Sequence, residues 1–325
     1  ASAASELRAC KPICRTTIVY RCLIVPAVTG NTPGAGIFRP FDTDPRFMFS
    51  AFRKWRRKRA ASRMQVAPET WAQVEQTLPF LAFLPADDIP RLRQMALEFL
   101  ADKQVHGADG LVTSDAMLLS IALQACLPVL NIGLDAYADW VGIIVYPGDF
   151  VIPRSVADED GVVHEYEDEV LGEAWEGGPV LLSWFEGDEV AAGAAEGINV
   201  VIHEFAHKLD MGNGEVDGYP RLSADMSAAA WASAFRPAYE DFCERVDRGD
   251  ETRLDPYGAE HPAEFFAVMS EAFFETPGLL KEEYPAVYEQ LSLYYQQDPA
   301  PREAALPAPG DTPLKHSFAS GRNAV

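Results

Sequence analysis

Apolar residues recur at helical spacing in two long parts of the chain, and a shorter stretch between them alternates at strand spacing. Pro68-Glu-Thr-Trp71 opens a first helix that Leu78-Pro79 closes. Asp87-Asp88-Ile-Pro90 reads as a cap leading a second, with Leu92, Met95, Ala96, Phe99 and Leu100 along it. Thr113 to Leu127 starts at a Ser/Asp cap and is almost wholly apolar, which predicts a buried helix. Strand-like runs follow at Gly142–Tyr146, Gly161–Tyr166 and Pro179–Trp184, the last two joined by a turn-rich segment containing Gly172, Gly177 and Gly178. Helical periodicity then resumes over 199–210 and from Asp225 to Val246, with a break expected near Pro237. It continues over His261–Glu275, stopped by Thr276-Pro277-Gly278, and over Pro285–Gln297. The pattern predicts an α+β protein, mostly helical with a small mixed β-sheet.

The ends of the chain look different from its middle. Residues 1–47 are rich in Gly, Pro, Thr and Ala without periodicity, and are expected to be a disordered or non-native extension before a natural start at Met48. The tail from Asp298 is rich in Pro and Ala, so 300–325 is expected to be disordered. Between them, 48–299 is expected to form a single domain, with a helical part at about 68–130 and a second part at about 140–299.

Charge narrows the possible partners. The net formal charge is −22, but residues 1–66 carry 13 Lys and Arg against 3 Asp and Glu, a net of +10 that leaves −32 for the remainder. So acidic a body repels nucleic-acid phosphate, which argues against direct nucleic-acid binding. The basic, aromatic run Met48-Phe-Ser-Ala-Phe-Arg-Lys-Trp-Arg-Arg-Lys-Arg59 reads as a solvated helix start, with contact to anionic lipid or an acidic partner as the lesser reading. Three of five cysteines fall at 10, 14 and 22, leaving Cys126 and Cys243 isolated, as suits a reducing compartment. The most apolar run, Ala116–Leu130, is too short to span a membrane and contains Pro128.

The chemistry concentrates in Asn199-Val-Val-Ile-His-Glu-Phe-Ala-His-Lys-Leu-Asp210. His203 and His207, four apart, share a helix face and can reach one metal ion, with Glu204 one residue round the helix. Ile198, Ile202, Phe205 and Leu209 form the opposite, packing stripe. Borderline-soft imidazole nitrogens suit zinc, and a catalytic zinc site takes three protein ligands plus an open position, so one ligand is missing. Glu264 and Glu271 on the 262–275 helix are the candidates; two turns, roughly 10 Å, separate them, so they cannot both bind one ion. Glu264 lies in the first turn, where the helix dipole favours a carboxylate. Tyr257, seven residues earlier, is placed to donate a hydrogen bond to an oxyanion if its loop folds back over the metal. Asn199 and Asp210 are candidate groups for orienting a histidine. The strand at Val180–Trp184 is the candidate edge for pairing with extended substrate.

The octapeptide His203–Asp210, with Tyr257 and Pro262-Ala-Glu-Phe-Phe-Ala-Val-Met-Ser-Glu-Ala-Phe-Phe274, resembles the Mlc titration factor A (MtfA) family of bacterial zinc metallopeptidases, whose catalytic region is similar to that of anthrax lethal factor. The resemblance covers about Met48 to Pro299. It implies a zincin-like (gluzincin) fold with the sheet beside the active-site helix. It also implies one Zn²⁺ held by His203, His207 and Glu264, with Glu204 as general base and Tyr257 assisting the transition state. A cytoplasmic, aminopeptidase-like zinc peptidase acting on a peptide or protein substrate is the implied activity. The alternative is a regulatory protein that binds and sequesters a Mlc-like transcriptional repressor, as enterobacterial members of the family do, with peptidase activity secondary.

Overall fold

The computed structural model describes residues 45–157, 163–184 and 199–306, with side chains described outside 45–51, 152–157 and 163–170. Expectations for 1–44 and 307–325 and for Ile198 lie outside the described residues. In chain order the helices are α1 (Pro45–Ala61), α2 (Pro68–Gln76), α3 (Asp88–Leu100), α4 (Asp115–Cys126), α5 (Val200–Asp210), α6 (Ala228–Asp247), α7 (Pro262–Glu275), α8 (Pro277–Glu283), α9 (Pro285–Tyr295) and α10 (Ala300–Glu303). The strands are β1 (Gln104–Gly107), β2 (Gly142–Tyr146), β3 (Phe150–Ala157), β4 (Val163–Val170), β5 (Gly172–Ala174) and β6 (Val180–Ser183).

Four strands form one mixed sheet in the order β1-β2-β6-β5, and β3 and β4 pair as a separate antiparallel hairpin. β1, β2 and β6 run parallel, with α4 in the connection from β1 to β2, while β5 is antiparallel to β6. This corrects the reading of 180–184 as a substrate-facing edge: β6 lies between β2 and β5, so among the described residues β5 forms that edge. A run of four buried positions, Val180 to Ser183, is the signature of a strand covered on both faces.

α5 runs against this sheet and against α7. Its Ile202, Phe205, Ala206 and Leu209 are buried. Phe205 stands in a ring cluster with Tyr137 (5.2 Å), Trp140 (5.5 Å) and Phe99 (5.7 Å), which locks the helix to α3 and to the segment before β2. α7 is buried on every side from Ala263 to Phe274, as its nearly uninterrupted apolar sequence requires. Trp231 and Phe235 of α6 stack on each other at 4.1 Å, and Trp231 also meets Phe266 of α7 at 6.0 Å and Tyr294 of α9 at 5.7 Å.

Three further expectations are revised. α6 continues unbroken through Pro237, because buried Trp231, Ala234 and Phe235 before the proline and Ala238, Tyr239 and Phe242 after it share one face. Thr276-Pro277-Gly278 ends α7 but also starts α8, since proline suits the first turn of a new helix. The stretch after Asp298 forms α10, whose buried Ala300 donates its backbone N–H to the Tyr288 hydroxyl at 3.0 Å. Among the described residues no helix is long and apolar enough to cross a membrane.

Phe205→Ala would leave a void between three aromatic rings. The expected loss is about 3–5 kcal/mol of unfolding free energy, read from a urea titration against wild type.

Candidate metal centre

Asn199 starts the central helix. Its side-chain oxygen accepts the Ile202 N–H at 2.9 Å, closing the first turn of α5. From there the helical repeat sends His203 and His207 to one face, opposite the Phe205 cluster. α7 crosses that face and presents Glu264 in its first turn, behind the cap formed when His261 Nδ1 accepts the Ala263 N–H at 3.2 Å.

The three side chains converge on one point. His203 Nε2 is 3.0 Å from Glu264 Oε2, His207 Nε2 is 3.2 Å from the same oxygen, and the two Nε2 atoms are 3.1 Å apart. A tetrahedral ion with bonds of about 2.0–2.1 Å needs its ligand atoms about 3.3 Å apart, so this triangle already has nearly that size. Two imidazole nitrogens and one carboxylate oxygen are also the donor set of a zinc site that keeps an open position. Among the described residues this is the group of three His, Cys, Asp or Glu side chains placed to hold an ion.

One tautomer is fixed by geometry. His203 Nδ1 lies 2.7 Å from Glu271 Oε1; donating its N–H there leaves the Nε2 lone pair aimed into the triangle. Glu271 Oε2 accepts the backbone N–H of Asn199 at 2.5 Å. The Asn199 amide in turn donates to Gln124 Oε1 at 2.8 Å and Glu275 Oε1 at 2.6 Å. Asn199 therefore reaches His203 through Glu271, while Glu264 and Glu271 address different nitrogens of one ring. Asp210 is less directly connected: Oδ2 accepts the Gly218 N–H at 2.8 Å. Its Oδ1 and His207 Nδ1, three residues apart, are buried without a hydrogen-bond partner among the described residues.

The electrostatics of the triangle favour a positive charge at its centre. Burial opposes charge on both histidines, yet Glu271 and Glu264 raise the His203 pKa well above its usual value, and Glu264 raises that of His207. Burial would raise Glu264 as well, but His207 and His203 hold its carboxyl far below the ordinary range.

Glu204 is set apart from this triangle. It is buried, its Oε2 has no partner among the described residues, and burial pushes its pKa up to about 7 against the pull of His203 and His207. β5 passes directly over it: a Cβ on Gly172 would lie 2.5 Å from Glu204 Oε1. Tyr257 sits on a 3-10 turn, Pro256–Ala259, capped by the Asp255 side chain accepting the Tyr257 N–H at 2.9 Å. Its ring centre is 6.1 Å from that of His203, and the residue is half exposed. Lys208, buried on the same helix, donates to the carbonyls of Trp175 and Gly178, tying α5 to the β5–β6 turn. Periodicity marks Lys208 as polar on a packed helix and nothing more; its carbonyl partners come from a loop that only the fold brings near. Gly172 likewise reads as a turn residue, because the contact with Glu204 spans more than thirty positions.

The chain over residues 52–296 matches the family described as glucose-regulated metallo-peptidase M90. It is 35% identical over 237 residues to Mlc titration factor A of Pectobacterium atrosepticum, an alignment covering 72% of this chain and 88% of the relative. A protein called Mlc titration factor A in Klebsiella pneumoniae is 34% identical over 251 residues, covering 76% and 93%. An uncharacterized protein of Synechocystis is 36% identical over 247 residues, covering 75% and 89%.

Two outcomes are expected. Glu271→Ala removes the acceptor that fixes the His203 tautomer and should weaken binding of a divalent metal ion about 10- to 100-fold in a chelator competition. Glu275 has its pKa raised to about 7, by burial first, despite the Asn199 hydrogen bond. A raised carboxyl pKa favours the protonated folded state, so its stability contribution is present below about 4.5 and is lost as pH rises through about 7. Glu275→Gln should flatten that decline and gain on the order of 1–3 kcal/mol above pH 7, read from urea titrations across pH.

Proposed function

The chain belongs to the glucose-regulated metallo-peptidase M90 family, and on that premise we propose that it hydrolyses peptide bonds at one zinc ion held by His203, His207 and Glu264. The observation that carries this reading is the convergence of three ligand atoms within 3.0–3.2 Å of one another beside a buried carboxylate. When bound, the ion supplies Lewis acidity: it acidifies water and polarises the scissile carbonyl.

The remaining chemistry belongs to the chain. Glu204 takes the proton of the attacking water and returns it to the leaving amine, a role suited to a carboxyl whose pKa lies near 7. Its freedom from other hydrogen bonds among the described residues leaves Oε2 available to water. Tyr257, beside His203, donates its phenol O–H to the oxygen that gains charge at the scissile carbonyl. Glu271 keeps the His203 lone pair aimed inward. β5, the outer strand of the sheet, takes over the role of pairing with extended substrate, and Gly172 lets that backbone run close to Glu204. On this reading 48–299 is one zincin-like (gluzincin) peptidase unit, cytoplasmic and aminopeptidase-like in its substrates.

A second reading, that the protein sequesters a transcriptional repressor, is favoured by one observation: relatives covering most of the chain are named for titrating Mlc. Both roles can coexist on one surface, and the same variant separates them.

Glu204→Gln should retain about one zinc per chain by metal analysis and lose at least about 10²-fold in peptide-library hydrolysis. Full hydrolysis by that variant would remove the acid–base assignment. Repressor capture by the inactive variant would show the binding role to be independent of turnover.

A further inference from the structure

α1 has two unlike faces. Its inner face docks on the body through buried Ala61 and through Arg57, whose guanidinium donates to Asp135 at 2.9 Å, while Arg53 donates to the Ala138 carbonyl at 3.1 Å. The opposite face carries Phe52, Trp55 and Arg59, one turn apart along a crest of about 10 Å. Phe52 is 61% and Trp55 54% exposed. Their rings stack at 5.8 Å, and the Arg59 guanidinium lies over Trp55 at 5.5 Å. Lys54 and Lys58 flank the crest on one side and Arg56 on the other, all exposed. Among the described residues Lys54, Lys58 and Arg59 have no ion-pair partner, whereas Arg56 reaches Asp102 only at 3.9 Å.

Single exposed apolar residues are ordinary; a stacked aromatic pair ringed by charges of one sign is a surface with a partner. We propose that this crest of α1 is a docking surface for an anionic lipid bilayer, lying in the plane of the headgroups. The charge it needs is negative, and the crest concentrates positive charge on a chain whose residues beyond 66 are strongly acidic. Screening limits each charge to about 8–10 Å at physiological salt, so the local cluster outweighs the distant acidic body. The aromatic pair decides between anionic partners. Trp and Phe bury their rings at the boundary of the acyl region, while Lys and Arg stems extend their charges back to lipid phosphates. A second copy of the chain offers acidic side chains but must also supply a pocket for two rings. Residues 1–44 carry five Lys and Arg against three Asp and Glu, so they are a poor charge complement for the crest.

The test is sedimentation of the full chain with vesicles of phosphatidylcholine alone or with about 30 mol% phosphatidylserine. Binding is expected to the anionic vesicles only, and to fall at least about tenfold when salt rises from about 0.1 M to about 0.5 M. Phe52→Ser with Trp55→Ser, and separately Lys54→Glu with Lys58→Glu, should each weaken it at least about tenfold with thermal melting unchanged. The proposal is overturned by equal binding to both vesicle types, by no binding to anionic vesicles, or by either double variant binding as wild type does. Salt-sensitive self-association, or binding of a single-stranded oligonucleotide, in place of vesicle binding would assign the crest to another partner and overturn it as well.

Discussion

The site depends on the imidazole of His203 being gripped at both nitrogens by carboxylates of one helix. Two turns of α7 separate Glu264 from Glu271, and the ring of His203 fits between them, with one carboxylate at each nitrogen. Neither carboxylate can be buried there alone without a large desolvation cost, and Glu271 behind Nδ1 is what holds the Nε2 lone pair of His203 inward. The crossing of α5 over α7 is therefore fixed by charge as well as by packing. The apolar faces of the two helices bring them together, and the carboxylate–imidazole–carboxylate arrangement sets their rotation.

The aromatic cores on the two sides serve this crossing. Phe205, at the centre of the Phe99–Tyr137–Trp140 cluster, holds the back of α5 against the sheet side. Trp231 and Phe235 of α6 hold α7 from the far side through its Phe266. Asn199 spans the two systems: it caps α5 with its side-chain oxygen, steadies Glu271 with its backbone N–H, and reaches Gln124 on α4 with its amide. One residue thus ties the start of α5 to the carboxylate that orients His203.

Local signals made much of this legible. Helix starts were marked by Ser114, Asn199 and His261, each of which accepts a backbone N–H two or three residues on. The spacing of His203, Glu204 and His207 identified the chemical face from the helical repeat alone. The choice of Glu264 over Glu271 was not readable from spacing, because both lie on the same side of the same helix; only the crossing angle of α5 decides which nitrogen each one meets. β1, β5 and α8 leave no periodic signal, because strands of three or four residues and a seven-residue helix are too short to show one. The order of strands in the sheet, and hence the identity of its edge, is a long-range property that no window along the chain contains.

With a Cβ at Gly172 only 2.5 Å from Glu204 Oε1, strand and acid are fitted to each other to within the size of one methyl group. The two positions therefore form a single heritable unit despite their separation in the chain. A relative that bears any side chain where Gly172 stands must either have moved the strand outward or surrendered the place of the carboxylate. Glycine at this one position thus serves as a marker for which members of the family keep the carboxylate where this chain has it, a distinction the histidines alone cannot make.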